Sequence, residues 1–221
     1  MTSTEALEVL GLIPARGGSK GIPRKNLAPV AGKSLLAWTL EAAHGAEKLT
    51  QVVVSTDDDE IAAAAEADVL RRPGELATDD TPMLDVIRHA IEELHPDVVV
   101  VLQPTSPLRR SEHVDGAVLV LLETGADAVV SVVEVPHHYT PEALMDLVDG
   151  RLVARGTTRS RQEKEPVYAR NGPAVLALRA DRVGRDLYEG DCRAYVMDQR
   201  SSLDVDTPFD LELADLLLRS R

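Results

Sequence analysis

The chain has 221 residues and a formal charge of −13, with 24 Lys and Arg against 37 Asp and Glu. The length fits a single domain, and 44% hydrophobic residues supply a sizeable core, which Val, Leu, Ile and Ala must fill because aromatics make up only 3%. The acidic balance argues against a nucleic-acid or anionic-membrane binder, since both demand a basic face, and no apolar run approaches the ~20 residues of a membrane span.

Cys192 is the one cysteine, so no intrachain disulfide is expected, which fits a cytoplasmic protein. The opening MTSTEALEVL has neither a basic region nor a long apolar segment and does not read as a signal peptide.

In chain order, VLGLI (Val9–Ile13) reads as a buried strand. A glycine-rich loop follows. SLLAWTLEAAHGA has helical spacing, with Ser34 placed to cap it. QVVVST is a second buried strand, and DDDEIAAAAEA reads as a helix with acids in its first turn, where the dipole favours them. A short strand is expected at Val69–Arg72, a helix over MLDVIRHAIEEL, and a strand of β-branched residues over DVVVVLQ. EHVDGAVLVLLETG is a helix closed by Gly125, and DAVVSVVEV a further strand. From 136 to 166 the pattern loosens into a polar inserted excursion that carries His137 and His138, two histidines read as surface residues. The alternation resumes at PAVLAL, RAYVMD and the helix FDLELADLLLR.

Strands alternating with helices predict a single domain, 1–221, of α/β class: a three-layer αβα sandwich with a mostly parallel, doubly wound sheet. Ligands of such sheets sit beyond the carboxyl ends of the strands. The segments there are Pro14–Asn26, Thr56–Asp59, Arg72–Thr81, Gln103–Arg109 and Leu203–Asp206.

The first of these is unusual. From Val9 to Leu40 there is no acid, while Arg16, Lys20, Arg24, Lys25 and Lys33 are all basic. Two phosphate motifs are rejected. Gly17, Gly18 and Gly21 are out of register for G-x-G-x-x-G, and the GKS at Gly32–Ser34 lacks the first glycine of a Walker loop, because position 27 is Leu27. The physics of a polyphosphate site remains. Glycines let backbone N–H groups approach an anion. Each charge-assisted hydrogen bond contributes roughly 1.5–3 kcal/mol.

LDVDT suggests a metal site. Asp204 and Asp206 are two apart, so on an extended segment both carboxylates point the same way. Like charges that close repel by about 1 kcal/mol in water, and a hard cation such as Mg²⁺ removes the penalty. The alternative is helix capping, although Thr207-Pro208 already supplies a cap and first-turn pair.

IPARGGSKGIPRKNL resembles the N-terminal signature of the CMP-sialic acid synthetases (acylneuraminate cytidylyltransferases) and their CMP-Kdo-type relatives. The likeness continues in order through VVVSTDDDEIAAAA, RRPGELATDDTPMLDVI, LQPTSPLR, RNG and LDVDTPFDLELAD, from about residue 10 to 215. The resemblance implies a nucleotidyltransferase that joins CMP from CTP to a 2-keto-3-deoxy sugar acid, sialic acid or a related nonulosonate, and releases pyrophosphate. Kdo or a phosphonate or carboxylate metabolite is the alternative acceptor.

It also implies roles. Arg16, Ser19, Lys20 and Lys25 fall on the triphosphate loop with Asn26 beside it, and Arg16 and Lys20 stabilise the leaving pyrophosphate. Arg72 matches a position near the cytosine, against the simpler reading of a surface salt bridge. Thr78 to Thr81 wall the base pocket. Gln103 matches a residue facing the sugar acid, against a buried structural amide, with Thr105 and Ser106 at the same cleft. Arg109 either binds acid or caps its loop. Asp206 is both metal ligand and catalytic residue. The excursion builds a homodimer interface, and Arg161 and Gln162 match an Arg-Gln pair near the partner's site. Many members carry a carboxylate-binding arginine where this chain has Ala169; Arg170 is the nearest substitute, and the resemblance implies that Arg170 and Asn171 both contact the sugar acid.

Overall fold

A computed structural model of the protein describes residues 7–18, 21–155 and 165–220. Along the chain run β1 (Val9–Pro14), β2 (Pro29–Val30), β3 (Lys33–Ser34), α1 (Leu35–His44), β4 (Gln51–Thr56), α2 (Asp59–Ala64), β5 (Asp68–Arg71) and α3 (Met83–Leu94). Then follow β6 (Val98–Val101), α4 (Ser111–Thr124), β7 (Ala128–Glu134), β8 (Met145–Val148), β9 (Arg151–Ala154), β10 (Tyr168–Arg170), β11 (Leu176–Arg179), β12 (Cys192–Met197) and α5 (Pro208–Arg219).

β1 is central, paired in parallel with β4 on one side and β6 on the other. β5 continues in parallel beyond β4. On the other side β11 runs antiparallel between β6 and β7. β12 is parallel to β7 at the far edge, and β10 pairs antiparallel with the last residues of β7. The sheet is therefore mixed and mostly parallel, as expected. After β1 the chain steps outward to β4 and β5, then crosses back through α3 to β6. This places the topological switch, and hence the ligand crevice, between the carboxyl ends of β1 and β6.

Successive strand residues face opposite layers. Val98 and Val100 pack with Leu36, Leu40, Val114 and Leu121 from α1 and α4. Val99 and Val101 pack with Ile87 and Ala90 of α3. All four valines of β6 are fully buried, which explains a run with no polar alternation. A third cluster matters for the site: Ala214 and Leu218 of α5 pack on Ile22, Ala28, Val30, Leu35 and Val205, so the final helix braces the far end of the basic loop.

Helix ends follow their sequence signals. Ser34 caps α1 by accepting from the Ala37 amide at 3.1 Å. Gly125 closes α4 at φ 70°, a conformation that glycine adopts without strain. Three readings are corrected. The helix expected over DDDEIAAAAEA stops at Ala64, because β5 starts at Asp68 and the three residues between must extend to reach it. The strand at Val69–Arg72 begins one residue earlier. The excursion holds a hairpin, β8–β9, turning at Asp149 and Gly150, both with positive φ; that Asp-Gly pair is the hairpin signal the sequence carried.

Candidate active site

A cavity of about 260 Å³ opens at the switch between β1 and β6. Arg16, Gly21, Lys25 and Asn26 from the basic loop line it, with Arg72, the Thr78–Thr81 turn, Met83 and Val86 of α3, and Gln103 to Thr105. Segments spread over ninety residues of sequence thus meet where the topology places the crevice.

The loop is held from three sides. The Asn26 side-chain amide donates to the Arg16 carbonyl at 2.9 Å, and the Ala15 amide to the Ser55 carbonyl at 2.9 Å. The Gly17 amide donates to Asp57 at 3.0 Å, so this N–H is already used and does not join a phosphate cradle in this state. A Cβ on Gly17 would come within 2.5 Å of the Asp58 carboxylate, and one on Gly21 within 3.0 Å of the Asp206 carbonyl. The glycines therefore permit close packing of the loop between the ends of β4 and the Asp206 segment.

The cations are not an unneutralised island, as the local sequence suggests. Acids distant in the chain meet them. Arg16 pairs with Asp79 at 2.5 Å, and Lys25 with Asp206 at 3.0 Å while also donating to the Val205 carbonyl at 2.9 Å. Arg24, in the left-handed region, reaches Asp58 and Glu60. Lys33 pairs with Glu41 and lies 4.6 Å over the Trp38 ring. Arg16 and Lys25 face the cavity; Arg24 and Lys33 serve the loop's outer contacts. Ser19, Lys20, Arg161 and Gln162 lie outside the described residues.

Arg72 is 7% exposed and hydrogen-bonds Ser55 through Nε at 3.1 Å and Nη2 at 2.8 Å. This is a fixed, buried guanidinium at the cavity wall, not a surface salt bridge. Burial pushes its pKa down to about 10, with Asp57 opposing and Arg16 reinforcing the shift, so it stays charged at neutral pH.

Asp204 is half-buried; burial raises its pKa above the ordinary carboxylate range, and Asp206 and Asp210 add to the rise, while Thr105 and Lys25 oppose it. Its Oδ1 and the Thr105 hydroxyl are both buried and the two side chains interact, yet neither atom completes a well-formed hydrogen bond. Helix capping does not explain the acid pair. The cap of α5 is Thr207, whose hydroxyl accepts from the Asp210 amide and whose own amide donates to the Asp210 carboxylate. A buried carboxylate oxygen without a well-formed hydrogen bond, beside a second carboxylate, suits a hard divalent cation. Among the described residues no group of three or more His, Cys, Asp or Glu could hold a metal alone.

Gln103 donates from Nε2 to the Gly172 carbonyl at 3.4 Å, and its side chain lines the cavity. Arg109 is 2% exposed and donates from Nη1 to the carbonyls of Gln103 at 3.0 Å and Ala174 at 2.8 Å. Of its two readings, the loop cap is the one its geometry matches. Burial pushes its pKa down to about 9. Asn171 is buried and its hydrogen bonds are internal: it accepts from Ser131 at 2.6 Å and from the Ala174 amide, and donates to Ser202 at 2.9 Å. Its visible work is to fix the turn that carries Gly172. Arg170 is exposed on β10, 4.5 Å over the Tyr188 ring, and does not line this cavity.

A wider cavity, about 720 Å³, lies where β7 and β12 end and β10 begins, with His137 and Asp198 in its lining. It contains none of the basic-loop residues. Sequence reasoning placed Asp57, Asp58 and Asp79 on segments beside the crevice but missed what they do, which is to anchor Gly17, Arg24 and Arg16. Their only signal is a recurrence of acid runs at strand ends, DDD after β4 and TDD before α3.

The solved structure of CMP:2-keto-3-deoxy-manno-octonic acid synthetase, complexed with CTP, superposes with a TM-score of 0.76 over 96% of this chain and 99% of that one, at 18% identity, a likeness of fold. N-acylneuraminate cytidylyltransferase of Escherichia coli O18:K1:H7 is 36% identical over 94% of this chain and 51% of its own length. The CMP-N,N'-diacetyllegionaminic acid synthase of Legionella pneumophila is 34% identical over 96% of this chain and 97% of its own. The chain thus spans about half the length of several curated relatives it matches and almost all of another. Residues 10–216 match the model of the family described as cytidylyltransferase, and with these relatives the match makes this chain a member of the cytidylyltransferase family.

Proposed function

We propose that this protein joins CMP from CTP to a 2-keto-3-deoxy sugar acid of the sialic or related nonulosonic type, with release of pyrophosphate. The observation that carries the reading is the convergence, on one cavity at the sheet's switch point, of Arg16, Lys25, Asn26, Arg72 and Gln103, with Asp204 and Asp206 on the adjoining segment. The names of the bacterial relatives point to acceptors of this class.

In this reading Arg72 and the Thr78–Thr81 turn hold the cytosine end. Arg16, Lys25 and, by sequence position, Ser19 and Lys20 hold the triphosphate. Gln103, fixed by Gly172, meets the sugar acid. The sugar's anomeric hydroxyl attacks the α-phosphorus and loses its proton to solvent, the bond to the bridging oxygen breaks, and pyrophosphate leaves with its charge met by Arg16 and Lys20. Asp204 and Asp206 would hold Mg²⁺, which supplies charge neutralisation at the phosphates when bound. Asn171 acts by holding the Gly172 turn, while Arg170, Arg161 and Gln162 belong to acceptor recognition. Reliance on CTP fits a cytoplasmic setting. Among the described residues no helix is long and apolar enough to cross a membrane.

The hairpin β8–β9 exposes Leu147 at 72% and Leu152 at 66%, an apolar surface that suits a homodimer contact. The test of the reaction is mass spectrometry of products from CTP, Mg²⁺ and a panel of acceptors that includes sialic acid, legionaminic acid, Kdo and phosphonates. A CMP conjugate and pyrophosphate are expected with a nonulosonate; formation of CDP, or turnover with none of the panel, would contradict the proposal.

A further inference from the structure

Asp79 is an acid inside a cavity otherwise furnished to attract anions. Its Oδ1 lies 2.5 Å from Arg16 Nη1, with the two side chains 32% and 34% exposed on the Arg and Asp sides respectively. Both residues line the cavity. Neither backbone is free to drift. The Arg16 carbonyl is held by Asn26 at 2.9 Å. The turn that carries Asp79 is closed by the Thr78 and Thr81 hydroxyls at 2.8 Å and by the Thr78 amide on Thr81 Oγ1 at 3.2 Å. The pair must therefore open by side-chain rotation, and at one-third exposure the carboxylate has solvent to rotate into.

We propose that Asp79 is the resident counter-ion of Arg16, a carboxylate that occupies the phosphate-binding guanidinium between turnovers and competes for it with incoming triphosphate and departing pyrophosphate. The inference rests on the assignment of Arg16 to the leaving phosphates made above. A phosphate chain carries more charge than one carboxylate and displaces it. Without the ligand, the carboxylate keeps the guanidinium neutralised and ordered beside Arg72, a second cation whose own pKa Arg16 already lowers. After bond cleavage the same carboxylate returns and weakens the hold on pyrophosphate.

The competition has a selective consequence. Every ligand that takes Arg16 must displace Asp79, so CTP and pyrophosphate are weakened by the same factor. CMP, which lacks the two outer phosphates, does not take Arg16 and is not weakened.

Binding of CTP, inorganic pyrophosphate and CMP to the whole protein, by titration calorimetry in Mg²⁺ buffer, tests this. Asp79→Asn is expected to tighten CTP and pyrophosphate equally, by about two- to fivefold, the range of a partly exposed ion pair, and to leave CMP unchanged. In an Arg16→Ala background the Asp79→Asn change is expected to do nothing. Unchanged or weaker CTP binding in Asp79→Asn overturns the inference, as does CMP tightening by the same factor, which would mean diffuse repulsion and not exchange at Arg16. If Arg16→Ala weakens CTP while Asp79→Asn is indifferent, the counter-ion role alone fails. If Arg16→Ala binds CTP as well as the parent, the assignment of Arg16 fails and takes the inference with it.

Discussion

Asp206 and Asp204 divide the work of one short segment. Asp204 is drawn inward, where burial favours its neutral form and one oxygen lacks a well-formed hydrogen bond. Asp206 is outward and tied to Lys25. A cation between them would favour the charged form of Asp204, against the effect of burial, and free Lys25 for phosphate. Asp206→Asn is therefore expected to leave the CTP dissociation constant within about threefold while lowering kcat by about 10²-fold, the scale of losing one preorganised electrostatic contact. Steady-state kinetics beside a binding titration separates the two; unchanged kcat contradicts the metal assignment. The sequence placed both acids on one short segment, but the difference between them, Asp204 half-buried and Asp206 exposed on Lys25, comes from the fold and has no local signal. The partners of the loop cations were not legible. Asp79, Asp58 and Glu60 reach Arg16 and Arg24 through the fold, across thirty-four residues or more, and no local pattern records such a pairing. For the same reason Asn171 read as a sugar contact, while its bonds to Ser131 and Ser202 span forty and thirty-one positions.

At the scale of elements, the short helix α2 has a second task. Asp58 caps it by accepting from the amides of Glu60 and Ile61, both at 2.9 Å, packs against Gly17, and pairs with Arg24. The Ile61 hydrogen bond, helped by Arg24, holds the Asp58 carboxyl below its ordinary range against the opposing effect of burial. Because the folded pKa is depressed, the stabilisation from ionised Asp58 is complete above the ordinary carboxylate range and is lost as pH falls through the folded value. Asp58→Ala is expected to cost about 1 kcal/mol at neutral pH, a fall in Tm of roughly 2–4 °C for a protein of this size, with the gap from the parent narrowing on acidification. Thermal melts across pH 3 to 7 check this; a gap that is constant or widens toward acid contradicts it. The strands and long helices were legible because their periodicities are strong and the four valines of β6 leave few alternatives. Strand β10 was not: its three residues pair with the end of β7 just before the Asn171 turn, a tertiary pairing without a local signature.

At the scale of the whole molecule, a net charge of −13 surrounds one basic cavity, and most of the cavity's charge is balanced internally until ligand arrives. The fold supplies the location, through the switch between β1 and β6, and α5 braces the loop that lines it. The exposed apolar hairpin β8–β9 predicts association: the parent protein should sediment as a dimer, and a Leu147→Asp, Leu152→Asp variant as a monomer, whereas an unchanged sedimentation coefficient would place any interface elsewhere. The most direct test of the central claim is a crystal structure of the protein with CTP and Mg²⁺. The account predicts the triphosphate on Arg16 and Lys25, Asp79 turned away, the cation at Asp204 and Asp206, and the base against Arg72. Nucleotide seated in the wider cavity at the ends of β7 and β12, with Arg16 still paired to Asp79, would contradict it.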